Sequence, residues 1–138
     1  MRTLDTVLFA CVHNAGRSQM AAAWFNKVCD RRKARAISAG TQPGERVHLE
    51  VVQTMLEVGI DLTDAKPRLL TGELAREATL LVTMGCGDAC PFVPGLKKLD
   101  WPLLDPKGQA AETVREIRDD IRSRVAQLAA ERSWLLVR

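Results

Sequence analysis

The sequence predicts an α/β fold: a three-layer sandwich built on a four-stranded parallel sheet, with a tight loop after strand 1. Three observations carry this. Short apolar runs alternate with stretches of helical period through the 138 residues, the pattern of a parallel sheet covered on both faces. Turn signals such as Gly40, Pro43-Gly44 and Gly59 stand between the runs. Finally, the stretch Cys11-Val12-His13-Asn14-Ala15-Gly16-Arg17-Ser18 falls where the first strand gives way to the first helix. Sheets of this kind bind ligands beyond the carboxyl ends of their strands.

Each element follows from its local pattern. Thr6 to Ala10 is short and apolar and reads as a buried strand. Ser18 to Cys29 reads as a helix with Ser18 as its N-cap, and Met20, Trp24 and Val28 lie four apart on one face. Cys29, late in that helix, reads as a small buried apolar residue. Ala34 to Ala39 is a second strand ended by Gly40. Val47 to Val58 is a helix with Gly59 at its C-terminal cap, and His48 in its first turn reads as a surface histidine. Ile60 to Leu70 is irregular. Thr71 to Ala75 is a short helix capped by Thr71, with Leu74 inward. Ala78 to Met84 is the third strand and Lys97 to Trp101 the fourth. Ala111 to Ala130 is a long amphipathic helix with an apolar stripe of Val114, Ile117, Ile121, Val125 and Leu128. Ser133 to Arg138 is a tail expected to pack on the body. No repeat or linker divides the chain, so a single domain over 1–138 is expected.

Bulk properties exclude several classes. Apolar residues make up 46% and charged residues 27%, and the formal net charge is +3. That charge is too small to indicate nucleic-acid binding and is compatible with an anionic substrate. No apolar run approaches the roughly 20 residues of a membrane span. A cytoplasmic monomer is expected. Four cysteines in such a chain point to catalysis, redox chemistry or metal binding before a structural disulfide framework.

The P-loop carries the first chemistry. Backbone N–H groups of a tight loop and of a helix N-terminus converge on one small space and bind an oxyanion there. Val12, His13, Asn14, Ala15, Gly16, Arg17 and Ser18 would form that substrate cradle, and Arg17 adds a planar bidentate grip. The same positive field favours the thiolate of Cys11, the reactive form, and Ser18 can donate a hydrogen bond to it. Cys11 is then a nucleophile toward a bound phosphate-like oxyanion. Cys86 and Cys90, in Cys-Gly-Asp-Ala-Cys, admit three readings. They are two ligands of a metal site completed by Cys11 and His13, two structural thiols, or a redox relay in which one thiolate attacks an adduct on Cys11 and the other resolves the disulfide. The relay is preferred and no metal is expected. Asp105-Pro106 offers a carboxylic acid to protonate a leaving oxygen. Taken alone it reads rather as a surface turn, and Asp100 is a nearby rival.

Cys-x5-Arg-Ser after the first strand resembles the low-molecular-weight tyrosine phosphatase superfamily, whose fold is flavodoxin-like. The continuation Ser18-Gln19-Met20-Ala21 resembles its arsenate reductase branch. The Ser38-Ala39-Gly40 turn, the Cys86/Cys90 loop followed by Pro91, Asp105-Pro106 and Arg118-Asp119 extend the resemblance, in order, over almost the whole chain. Together they resemble the thioredoxin-coupled arsenate reductases.

The resemblance implies that Arg17 and the loop amides hold arsenate, Cys11 attacks arsenic and Asp105 assists loss of water. Cys86 then attacks Cys11 and releases arsenite. Cys90 attacks Cys86, and thioredoxin reduces the resulting Cys86–Cys90 disulfide. Asn14 would brace the loop. The resemblance also selects Asp105 over Asp100 as the general acid, because an Asp followed by Pro is the family's second signature, and no cofactor is implied. Two departures stand out. Only Gly87, Asp88 and Ala89 separate Cys86 from Cys90, fewer residues than the family usually has. That leaves glutaredoxin or mycothiol as alternative reductants. Ala22 stands where some relatives carry an acidic residue linked to potassium, so no potassium is expected. A phosphatase of the same superfamily is the alternative activity. Against it, Lys107 follows Asp105-Pro106 and the chain has no tyrosine to hold an aryl phosphate.

Overall fold

The computed structural model describes residues 4–85 and 94–137. Four strands form one parallel sheet, β1 (Asp5–Cys11), β2 (Ala34–Gly40), β3 (Leu80–Thr83) and β4 (Lys97–Asp100), in the order β2-β1-β3-β4. The helices are α1 (Arg17–Val28), α2 (Leu49–Leu56), α3 (Gly72–Arg76) and α4 (Ala111–Glu131). Strand β1 runs down the middle, pairing Asp5 with Ala34 through to Cys11 with Gly40 on one side and Val7 with Leu80 through to Ala10 with Thr83 on the other. This register brings the ends of β1, β2 and β3 to one edge, as expected for a ligand site at the carboxyl ends of strands.

The central strand is buried on both faces, which explains its unbroken apolar run. Val7, Phe9 and Cys11 point into the larger core with Met20, Phe25, Met55 and Ile121, beneath α1, α2 and α4. Leu8 and Ala10 join Ala39, Ala75 and Leu81 in a smaller core beneath α3. Among the described residues one short helix serves that face. Trp24 is buried in the larger core and Trp134 closes it from the tail. Phe25 meets Trp134 edge-on at 5.7 Å, each such ring contributing about 1.5–3 kcal/mol by burial.

Element boundaries shift by one to a few residues from expectation. Helix α1 begins at Arg17 with Gly16 as N-cap and no side-chain cap bond, so Ser18 is not the cap. Thr71 does cap α3, accepting from the Leu74 N–H at 3.1 Å. Cys29 is buried as expected and bridges to Leu135, which fastens the tail. Arg118, nearly buried on α4, ties down the other end of α2 by donating to Thr54 O (2.8 Å) and Glu57 Oε1 (3.0 Å). That clamp fixes where the N-terminus of α2 lies, and with it His48.

Candidate active site

The P-loop is held by its carbonyls. The amide of Thr41 donates to Cys11 O (3.3 Å), Gln42 to Val12 O (2.8 Å), Gly44 to His13 O (2.9 Å) and His48 to Ala15 O (2.9 Å). Gln19 Nε2 donates to Asn14 O at 3.1 Å, and Met20 N to Gly16 O at 3.0 Å. Every carbonyl from Cys11 to Gly16 is thus drawn to the outside of the loop. The amides of His13, Ala15 and Gly16 are left with no acceptor among the described residues. Arg17 and Ser18 belong to the first turn of α1, whose N–H groups have no partner within the helix. No acidic residue lies in that turn to offset the helix dipole. The result is a ring of donors in search of an anion. Gly40 is required here, since a Cβ would come within 2.5 Å of Val12 O.

Cys11 sits at the floor, 3% exposed. Its sulfur accepts from the Asn14 N–H (3.2 Å) and lies 2.8 Å from Ser18 Oγ. Asn14 Nδ2 donates to the same Ser18 oxygen at 2.7 Å, so the single hydroxyl proton of Ser18 is free to point at sulfur. Asn14 adopts φ +51°, a left-handed conformation that asparagine tolerates best after glycine.

Arg17 flanks the cradle. Its Nη1 donates to Leu103 O at 2.8 Å and Nη2 lies 3.9 Å from Asp105 Oδ2. Its Nε makes no hydrogen bond among the described residues, so the Nε/Nη2 edge is open to a bidentate oxyanion. Asp105 is partly exposed and accepts from the Lys107 N–H at 3.0 Å, an Asx turn around Pro106. The rival Asp100 is occupied elsewhere, by Thr83 Oγ1 at 2.7 Å and the Gly85 N–H at 3.4 Å.

One small concavity is lined by Cys11, His13, Ala15, Gly16, Arg17, Asp105 and His48. His48 is thus a correction to the reading of a surface histidine: it stands half-buried at the mouth, brought there by its own N–H on Ala15 O. Nothing local in the sequence marked it. Val12 is half-buried beside the loop. Cys86 and Cys90 lie outside the described residues. Gly85, which precedes Cys86 in sequence, has φ +85° and packs against Arg17, where a Cβ would come within 3.2 Å of Nη1. Among the described residues no group of three or more His, Cys, Asp or Glu gathers as a metal site, and no helix is long and apolar enough to cross a membrane.

Comparison with known proteins places this geometry. The family model for low molecular weight phosphotyrosine protein phosphatase matches residues 6–133. A Halobacterium salinarum relative whose arsenate reductase name is provisional is 41% identical over 127 residues, 89% of each chain. Arsenate reductase 1 of Bacillus cereus is 35% identical over 133 residues, 94% of this chain and 97% of that one. Among solved structures, Corynebacterium glutamicum thioredoxin-dependent arsenate reductase superposes with a TM-score of 0.79 at 38% identity. The match covers 93% of this chain and 61% of that longer one.

Proposed function

We infer, from the premise that the chain belongs to the low molecular weight phosphotyrosine protein phosphatase family, that it is an arsenate reductase using Cys11 as nucleophile and a three-cysteine relay. One observation carries the reading. A buried thiol accepts from the Asn14 N–H and lies 2.8 Å from Ser18 Oγ at the floor of an inward-facing amide ring; relatives named as arsenate reductases, such as that of Bacillus cereus, support the choice of substrate.

The chemistry follows from the positions. The amides and Arg17 bind three oxygens of arsenate. The Cys11 thiolate attacks arsenic, an As–O bond breaks, and Asp105 gives the proton with which that oxygen leaves as water. The Cys86 thiolate then attacks the Cys11 sulfur. The electron pair of the S–As bond passes to arsenic, so As(V) becomes As(III), arsenite departs and a Cys11–Cys86 disulfide remains. Cys90 attacks Cys86, freeing Cys11 and leaving Cys86–Cys90 for an external dithiol to reduce. Thioredoxin is the proposed dithiol, supported by the name of the Corynebacterium glutamicum neighbour. Gly85, the residue before Cys86 in sequence, packs on Arg17.

The test is arsenate-dependent oxidation of NADPH with thioredoxin and thioredoxin reductase, run beside hydrolysis of para-nitrophenyl phosphate. Turnover of arsenate that vanishes in Cys11→Ser, Cys86→Ser and Cys90→Ser supports the relay. A Cys90→Ser enzyme that cycles normally overturns it. Arsenate turnover only with glutaredoxin or mycothiol replaces the reductant. Phosphate release without arsenate turnover replaces the reductase by a phosphatase.

A further inference from the structure

Gln19 is a polar side chain in the first turn of α1, only 8% exposed. Its amide nitrogen lies 3.1 Å from Asn14 O, 3.2 Å from Asn14 Oδ1 and 3.2 Å from Lys66 O. Two of those acceptors are backbone carbonyls, which only accept, so the NH2 end of Gln19 must face them. The orientation of Asn14 is forced by the same logic. The Arg68 N–H, which only donates, lies 3.0 Å from Asn14 Oδ1. The oxygen of Asn14 therefore faces Arg68 and Gln19, and its NH2 faces Ser18, 2.7 Å away. Ser18 Oγ spends a lone pair on Asn14 and has its proton left for Cys11 Sγ at 2.8 Å. Donor direction thus runs without a break from Gln19 through Asn14 and Ser18 to the sulfur.

The nucleophile has no other hydroxyl donor among the described residues. The left-handed Asn14 needs outside support, because such a backbone is strained for a residue with a side chain. Gln19 supplies it from within α1, and Arg68 supplies it from the segment that also bonds Gly40 N and O through Arg68 O and Leu70 N. The bracket therefore ties the 66–70 segment and the end of β2 to the reactive sulfur.

We propose that Gln19 is a positioning residue for the Cys11 nucleophile: by holding both oxygens of Asn14 it directs the Ser18 proton onto the sulfur and stabilises the attacking thiolate. The proposal rests on Cys11 being the nucleophile of the reading above, and alkylation tests it without arsenate. Two substitutions separate direction from packing. Gln19→Met keeps the length and removes the donors. Gln19→Glu keeps the shape and, when ionised, presents acceptors to acceptors.

The experiment follows iodoacetamide labelling of Cys11 by peptide mass spectrometry from pH 5 to 9, with kcat and KM for arsenate alongside. For Gln19→Met, the labelling profile moves to higher pH and the rate at neutral pH falls about 3- to 10-fold, the range for one buried hydrogen bond. The loss in turnover appears in kcat with KM for arsenate little changed. Gln19→Glu falls further at neutral pH and recovers toward the native rate as the carboxyl protonates. Either variant with a lowered melting temperature but a native labelling profile overturns the proposal. If Gln19→Met does not fold, the isosteric Gln19→Glu decides alone. If native protein turns over no arsenate, the function above fails while the labelling arm still stands.

Discussion

Ser18→Ala isolates the hydroxyl that lies 2.8 Å from the sulfur of Cys11, the proposed nucleophile. In the native site the sulfur lies 2.8 Å from Ser18 Oγ, the proposed donor, and accepts from the Asn14 N–H at 3.2 Å. Removing the hydroxyl leaves only the longer bond. A hydrogen bond to a charged group is worth about 1.5–3 kcal/mol, so the thiolate loses a factor of about 10–150 in population wherever it is the minority form. The freed thiolate is also more nucleophilic, and with a Brønsted coefficient of about 0.4–0.5 roughly half of the loss returns in rate. The net expectation is alkylation of Cys11 about 3- to 12-fold slower near neutral pH. The substitution also strands Asn14 Nδ2, whose partner is the same oxygen, at a cost of about 1–3 kcal/mol in stability. The assay is timed iodoacetamide labelling, read peptide by peptide, with urea unfolding on the same samples. Buried Cys29 is the internal reference. Native labelling of Cys11 in a folded Ser18→Ala protein would show that the hydroxyl proton does not face sulfur, and the donor order from Asn14 would be refuted with it.

Two further expectations concern other parts of the site and core. Gly16→Ala would bring a Cβ within 2.7 Å of Pro106 Cγ and 3.6 Å of His48 Cδ2, displacing Asp105 from the cradle. The arsenate single-turnover rate should drop about 10- to 100-fold, as for misplacement by about 1 Å, with the melting temperature little changed; an unaltered rate argues against Asp105 as the acid. Burial pushes the Cys29 thiol up from 9.0 to about 11. A raised folded value means that its contribution is intact below pH 9 and is lost as pH rises through about 11. The native advantage in melting temperature over Cys29→Val should therefore shrink across that window, and a constant difference would show that the thiol is not desolvated.

How much of this was legible in the sequence depends on the range of the interaction that decides each feature. Periodicity is local, so the strands, the long α4 stripe and the Thr71 cap were readable, and the sheet followed from their alternation. The Cys11 loop was readable because its chemistry is written in eight consecutive residues. Ser18 was misread as a cap for a local reason: a hydroxyl at a helix start ordinarily satisfies the first amides. Here Gly16 takes the cap position, the amides stay open for an anion, and the hydroxyl turns inward to Asn14 and Cys11. Binding an anion and capping a helix compete for the same donors, so a P-loop helix gains from leaving its cap unmade.

The features that stayed hidden are those set by backbone bonds across long loops. His48 reaches the mouth because its N–H bonds Ala15 O, 33 residues earlier, while Arg118 holds the far end of α2. Nothing in the composition of residues 41–48 announces that four of their amides bind the outer carbonyls of the cradle. Yet that is what turns the loop from a set of mixed dipoles into a donor ring. Residues 66–70 read as irregular for the same reason: their order comes from Gly40, Gln19 and Asn14 rather than from one another. The candidate site is therefore encoded twice, once in the consecutive residues of the Cys11 loop, and once in dispersed residues whose backbone and amide groups decide which way those residues face.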